Sequence, residues 1–460
     1  MSVSIRFCGA ARTVTGSRHL ISLGKRRILV DCGLFQGSSE IRRRNWEPFP
    51  VPPDKIDAVV LTHAHLDHIG YLPRLVREGY SGPIYATHAT VALARISMPD
   101  SGRLQLEQAR FLNKKGLTRH EPALPLYTEA DAYACLKQFV AVPYGEFREL
   151  PGKAIWRYLP AGHILGSAFA EVYFPSGERI LMSGDLGRYD TPILKDPACV
   201  DHAEYLVLES TYGNRIHSNE NVEEKLASVL GQAVRESRCV LVPSFSIGRT
   251  QEMLYYIKRV QASEGFSRLP IFLDSPMASD TTIRYLEHTE EHDIETRIAI
   301  GQNDNPIAPA NLHYVADYRE SKKLNTREGP FVVIAGSGMC TGGRIVHHLA
   351  NRLGRSDTTV LFTGYQAEGT LGRQILERNP VVRVLGQEIQ VKATIEKLNA
   401  LSAHADQGEI LKWLGCFQAP PRRTFIVHGE PESQETLRDK IVEKLGWEVV
   451  IPEHLQEFDL

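Results

Sequence analysis

The sequence predicts an α/β fold in more than one domain, and three observations carry that expectation. At 460 residues the chain exceeds one ordinary domain. Its 42% hydrophobic and 23% charged residues suit large buried cores. From about residue 210 a strand–loop–helix unit recurs, the pattern of a mainly parallel sheet.

Before that point strands predominate. Ser4–Cys8, Ser17–Leu23 and Arg27–Asp31 are β-branched or apolar runs separated by glycine-containing turns. A basic stretch, Arg42-Arg43-Arg44, follows. Ala58–Thr62 is a continuous apolar run of the kind buried on both faces. His63-Ala64-His65-Leu66-Asp67-His68 comes directly after it, then a helix over Gly70–Arg77 and a strand over Pro83–Thr87. Residues 90–150 read as mostly helical and polar. There Arg103, Arg110, Lys114, Lys115 and Arg119 form either a solvated helix face or one wall of a groove for an anionic polymer. Strands resume at Ala154–Leu159, Ala168–Phe174, Arg179–Ser183 and Tyr205–Leu208. The recurring unit has copies starting at Val240–Val242, Phe331–Ala335 and Thr359–Phe362. A last block carries Ser402-Ala403-His404-Ala405-Asp406 and the strand Thr424–Val427, which leads into His428.

Lys and Arg number 53 against 55 Asp and Glu, so net charge alone does not steer the chain to nucleic acid, although a local basic groove could. No run approaches ~18 apolar residues, so no membrane is expected. The first residues contain Arg6 and Arg12 and no apolar stretch of the secretion-signal kind. Cys8, Cys32, Cys135, Cys199, Cys239, Cys340 and Cys416 are scattered and form no CxxC, which predicts free thiols in a reducing cytoplasm rather than disulfides.

The run at 63–68 is the strongest chemical signal. Capping a helix needs one polar residue, whereas this turn supplies three imidazoles and a carboxylate, a good donor set for zinc. Alternate residues of an extended chain face one way, so His63 and His65 can share one ion, and Asp67 and His68 can reach a second. Two ions need further donors, and His163, Asp185 and His428 each stand at a strand end.

The order Asp31, His63 to His68, His163, Asp185 resembles the four motifs of the metallo-β-lactamase fold. Glu209, His404 and His428 resemble the three additional motifs of its β-CASP branch, a group of nucleic-acid nucleases. The resemblance extends over Leu208–Gly213, Pro243–Arg249, Gly336–Met339, Gly364–Arg373 and Ser402–Asp406. It implies an αββα sandwich, built from residues 1–208 and 394–460, with a mainly parallel α/β β-CASP cap inserted at 209–393 and the active site in the cleft between. It implies two zinc ions per chain, one on His63, His65 and His163, the other on Asp67, His68 and His428, bridged by Asp185. Asp31 would orient ligands or water. His404 would contact the scissile phosphate and act as general acid, held by Glu209. The product would carry a 5′-phosphate and a 3′-hydroxyl. In this family a histidine at the position of His428 goes with RNA rather than DNA, and single-stranded RNA is the expected partner.

The loop Gly336–Gly343 superficially resembles a dinucleotide fingerprint, but Thr341 stands where the third glycine belongs. It is either a tight turn or a receiver of substrate phosphates. On the second reading Ser244, Arg249, Ser337, Gly338, Arg373, Ser402 and Ala403 contact substrate. The chain carries no segment before its first strand and ends soon after His428, so a compact ribonuclease is expected and a long-tailed 5′ exonuclease is in doubt. A small-molecule hydrolase and an inactive RNA-binding subunit are the competing classes. Manganese or iron could replace zinc at such donors, and a homodimer is compatible with the sequence.

Overall fold

A computed structural model describes residues 2–116, 118 and 120–460, so Arg119 lies outside the described residues. The chain divides into two compact units: Met1–Thr191, Lys195–Ile216 and His404–Leu460 form one, and Pro192–Leu194 with His217–Ala403 the other.

The first unit is built on two seven-stranded sheets. One runs in the order Glu457–Asp459, Val3–Phe7, His19–Leu23, Arg26–Val30, Ala58–Val60, Ile84–Ala86, Phe139–Ala141. It is antiparallel up to Arg26–Val30 and parallel beyond. The other runs Val449–Val450, Arg423–Val427, Tyr205–Glu209, Arg179–Met182, Ala168–Tyr173, Ala154–Pro160, Arg148–Leu150. Alternating inward residues of both sheets, among them Ile5, Phe7, Ile21, Val30, Trp156, Val172, Met182 and Phe425, make one dry core. Leu206, Leu208 and Ile426 face the opposite way, onto Trp413, Leu437 and Ile441 of helices Gln407–Leu414 and Pro431–Leu445. Helix His88–Lys115 packs by Phe139–Ala141 on the other side, giving the αββα layering. Ala58–Val60 is buried at every residue, as a continuous apolar run requires.

Two local readings change. The helix after the histidine run begins at Leu66, with His65 at its N-cap, breaks at Gly70 and resumes over Leu72–Arg77. Strands Phe139–Ala141 and Arg148–Leu150 interrupt the stretch expected to be helical; at three residues each they are too short for a two-residue period to register. Arg103, Arg110, Lys114 and Lys115 are exposed, and Arg103 pairs with Asp100 and Glu107 of its own helix, as a solvated face does.

The cysteine expectation also needs correction. Cys199 and Cys416 form a disulfide across 217 positions, with their Cα atoms 5.7 Å apart. Spacing cannot reveal a pair that only the packing of helix Gln407–Leu414 brings together; Trp413 Nε1 donates to Ala198 O at 2.9 Å beside it. Cys8, Cys32, Cys135, Cys239 and Cys340 are free and buried. Burial pushes the Cys8, Cys32 and Cys340 thiols up to about 12, which leaves them inert.

The second unit holds a six-stranded, wholly parallel sheet in the order Leu312–Tyr314, Ile271–Leu273, Phe331–Ala335, Cys239–Pro243, Thr358–Phe362, Thr394–Lys397. Its central strands are buried throughout, and a hairpin, Val381–Val384 with Gln387–Gln390, lies against the same core.

Candidate metal centre

The first unit gathers its chemistry where strands of both sheets end. Asp31 follows Arg26–Val30, His63 follows Ala58–Val60, His163 follows Ala154–Pro160, Asp185 follows Arg179–Met182, Glu209 closes Tyr205–Glu209 and His428 follows Arg423–Val427. Asp31 and His428 take left-handed backbone conformations, φ 59° and 51°, that non-glycine residues rarely adopt. Gly184 (φ 52°) turns the chain directly before Asp185, and a Cβ there would lie 2.5 Å from Thr62 Cβ. Gly184→Ala is therefore expected to cost about 2–4 kcal/mol and to displace Asp185. Thermal unfolding together with bound-metal analysis checks this, and an unchanged melting point and metal content would contradict it.

Four donors converge on one point. His63 Nε2 and His163 Nε2 each lie 3.1 Å from His65 Nδ1 and 3.3 Å from Asp185 Oδ2. Around a second point, His428 Nε2 lies 3.2 Å from His68 Nε2 and 3.3 Å from Asp67 Oδ2, and His68 Nε2 lies 3.2 Å from Asp185 Oδ1. Donors held about 2.0–2.1 Å from a tetrahedral ion are about 3.3 Å from one another, so both sets have the separations a zinc ion needs.

Asp185 supplies the test of fit. Both of its oxygens are buried and neither accepts a hydrogen bond, an arrangement that is costly unless a cation faces them. The imidazoles are held from behind and present their free nitrogen forward. Thr62 Oγ1 lies 3.1 Å from His63 Nδ1, Asp31 Oδ2 2.8 Å from His68 Nδ1, and Thr211 Oγ1 3.1 Å from His428 Nδ1. Asp31 is itself fixed by the Thr62 N–H and hydroxyl, each donating at 2.8 Å. Such partners behind a ligand fix its tautomer.

Burial lowers His63 to about 3 and His65 to about 4, and drives His163 well below the usual histidine range. These rings are neutral, the form a metal takes. Burial opposes charge on His68 too, but Asp185 and Asp31 outweigh it and raise that ring well above its ordinary value. Burial would raise Asp67, yet the His428 hydrogen bond and the His68 and His428 charges hold it below the carboxylate range.

Beside these donors, His404 Nδ1 meets Glu209 Oε1 at 3.0 Å and lies 3.9 Å from Asp185 Oδ2. Glu209 is buried and accepts the Leu186 N–H at 2.8 Å and the Thr211 N–H at 3.0 Å. Burial works against charge on His404, but Glu209 and then Asp185 reverse it and lift the ring to about 9.

Sequence reading passed over Thr62 and Thr211. The one directly precedes the histidine run and the other lies two residues past Glu209, and a hydroxyl at a strand end was the available signal. The remaining candidates lie in or beside the second unit. Ser244 and the Ser337–Gly338 pair follow neighbouring parallel strands, and Arg373 sits in helix Leu371–Leu376, which follows a third. Ser244 is buried and accepts from Thr250 Oγ1 at 3.1 Å. Ser337 Oγ accepts the Thr341 N–H at 3.0 Å, and Gly338 lies under the Phe245 ring. Arg249 and Arg373 are paired with Glu252 and Glu377 on their own helices. Ser402 is buried and Ala403 half-buried, directly before His404. Also unforeseen is Asp274, wholly buried and bonded to His348 Nε2 at 2.6 Å and to the Ser321 hydroxyl and Arg344 Nη1 at 2.5 Å. It braces the same end of the parallel sheet.

Comparison with known proteins finds relatives over most of the chain. Residues 16–214 match the metallo-beta-lactamase superfamily, 250–375 the Beta-Casp domain and 388–452 the Zn-dependent metallo-hydrolase RNA specificity domain. Ribonuclease TTHA0252 of Thermus thermophilus is 41% identical over 443 residues, covering 96% of each chain. Transcription termination factor FttA of Methanocaldococcus jannaschii is 28% identical across 98% of this chain and 71% of its own. The FttA of Pyrococcus horikoshii is 30% identical across 100% and 71%. A crystal structure of a protein of unknown function from Enterococcus faecalis V583 shares the fold, with a TM-score of 0.56 at 15% identity over the full length of both chains. Among the described residues no helix is long and apolar enough to cross a membrane.

Proposed function

The chain belongs to the β-CASP family of the metallo-β-lactamase superfamily, and from that membership we propose that it is a zinc-dependent ribonuclease. It hydrolyses phosphodiester bonds of single-stranded RNA to 5′-phosphate and 3′-hydroxyl ends, chiefly within the strand, with 5′ exonuclease action as a secondary mode. The observation that carries the reading is the buried Asp185 carboxylate, unbonded on both oxygens and ringed by imidazoles, with the His404–Glu209 pair alongside.

His63, His65, His163 and Asp185 would hold one zinc, and Asp67, His68, His428 and Asp185 the other. Bound there, zinc supplies Lewis acidity and brings the pKa of water towards neutrality. Asp31 keeps His68 in the tautomer that offers Nε2. Glu209 holds His404 by Nδ1, so that Nε2 carries the proton delivered to the departing 3′ oxygen as the phosphorus–oxygen bond breaks. Before that, the charged imidazolium stabilises the anionic phosphoryl oxygens.

Ser244, Arg249, Ser337, Gly338, Arg373, Ser402 and Ala403 would receive backbone phosphates, with Arg249 and Arg373 exchanging their glutamate partners for the substrate. The lactamase domain is assigned to 1–208 and 394–460 and the inserted β-CASP domain to 209–393. We place the protein in the cytoplasm because RNA is there. The Cys199–Cys416 bond removes the thiol argument for that compartment. A homodimer is its proposed assembly.

Unstructured RNA labelled at its 5′ end, incubated with and without chelator, tests the reading. Internal fragments that vanish with chelator and return with zinc are expected. Mononucleotides alone would shift the assignment to a 5′ exonuclease. Uncut RNA in the presence of demonstrably metal-loaded protein would overturn it.

A further inference from the structure

Guanidinium and aromatic groups alternate through the first unit from its interior to its surface. Arg44 lies 5.6 Å and Arg18 4.7 Å from the centre of the Phe35 ring. Arg18 lies 4.0 Å and Arg74 5.7 Å from that of Tyr71, and Arg74 is also 5.2 Å from Trp46. The inner end of this ladder is fixed. Arg18 is buried, and its Nε and Nη2 donate to Gly33 O at 2.9 and 2.8 Å; Nη2 also reaches Asn45 Oδ1 at 3.3 Å. Asn45 is bonded to both backbone groups of Phe35, at 2.9 and 2.7 Å. Arg74 is held by Glu78 at 2.6 Å.

The outer end is open. Trp46 is 52% exposed, whereas Trp156, Trp413 and Trp447 are at most 7% exposed. Arg42 and Arg43 stand exposed at the end of the helix Ser39–Arg43 just before it. Glu40 and Glu47 are nearby, and Arg43 lies 3.6 Å from Glu47, so the Arg42–Arg44 triplet leaves this surface with a modest positive excess. The ladder reaches the candidate centre in few steps. Gly33, which Arg18 binds, lies so close to Asp67 that a Cβ on it would be 1.5 Å from the Asp67 carbonyl oxygen.

An indole fixed from behind and flanked by cations is how proteins hold unpaired strands without reading their sequence: the ring stacks on a base and the cations meet neighbouring phosphates. We propose that Trp46 is a stacking platform for one base of single-stranded RNA lying a few nucleotides from the bond that is cut, with Arg42 and Arg43 on the adjoining phosphates. This rests on the ribonuclease reading above and extends it to a contact outside the catalytic centre.

Trp46→Ala and Trp46→Phe are compared with the unaltered protein on an unstructured RNA of about 12 nucleotides and on bis(p-nitrophenyl) phosphate, a diester too small to reach the indole from the centre. In Trp46→Ala the ratio of kcat/KM between RNA and small diester should fall roughly 5- to 150-fold, through KM, and Trp46→Phe should recover most of it. Because Trp46 is the exposed indole, the same RNA added with chelator should change the tryptophan emission of the unaltered protein and not that of Trp46→Phe. An unchanged ratio with unchanged emission overturns the platform. A protein that hydrolyses the small diester yet leaves RNA uncut overturns the ribonuclease reading instead, so the two failures are distinct.

Discussion

Alanine in place of Asp185 is expected to strip the protein of metal and of activity together. The carboxylate faces both donor sets at once, Oδ2 towards His63 and His163 and Oδ1 towards His68. Removing it deletes the one anion common to both sets. Two cations held by the flanking donors would then repel each other with no anion between them. Asp31→Ala is the matched control. Asp31 touches His68 from behind, and the loss of such a partner costs only about 10–100-fold in metal affinity. Metal content after exhaustive dialysis, with hydrolysis measured on the same samples, should rank the variants in that order. Two equivalents of metal retained by Asp185→Ala would sink the assignment of Asp185 as the donor shared by both sets.

His404→Ala should behave in the opposite way, losing turnover while keeping its metal. A positioned general acid contributes ~10²–10⁴-fold, and that is the expected fall in kcat. The accompanying pH profile is more discriminating. The ring must be protonated to act as an acid, and burial alone would discharge it. Glu209, with Asp185, holds it up to about 9. Activity should therefore persist into mildly alkaline solution and decline as pH rises through the His404 pKa. Glu209→Gln keeps the side-chain shape but removes the larger opposing charge, so the decline should move to lower pH with metal content unchanged. An alkaline limb that stays in place in Glu209→Gln would mean that His404 is not the acid.

What the sequence disclosed and what it hid have separate physical causes. His63, His65, Asp67 and His68 stood out because four donors on one short turn exceed any capping need. His163, Asp185 and His428 followed because a buried strand delivers its next residue to the sheet edge. Thr62 and Thr211, which hold imidazoles in place, carry no such density, and a lone hydroxyl near a strand end is too common a feature to single them out. The parallel sheet of the second unit was legible from its repeated strand–loop–helix texture. The brace of Asp274 by His348, Arg344 and Ser321 was not, because its members come from three separate elements. The strands at Phe139–Ala141 and Arg148–Leu150 escaped through brevity. The disulfide escaped through sheer distance along the chain.

That disulfide alters what kind of molecule the backbone describes. Cys199 lies shortly before the chain leaves the first unit at Ile216, and Cys416 shortly after it returns at His404. Seen as a covalent graph, the parts of the first unit on either side of 217–403 are thus joined twice, once through sulfur and once through 217–403, which makes up most of the ring the disulfide closes. By chain entropy alone, closing a loop of this length stabilises by about 5 kcal/mol. A backbone cut anywhere within 217–403 would leave His63, His65, His163 and Asp185 tethered to His404 and His428 in a single covalent species.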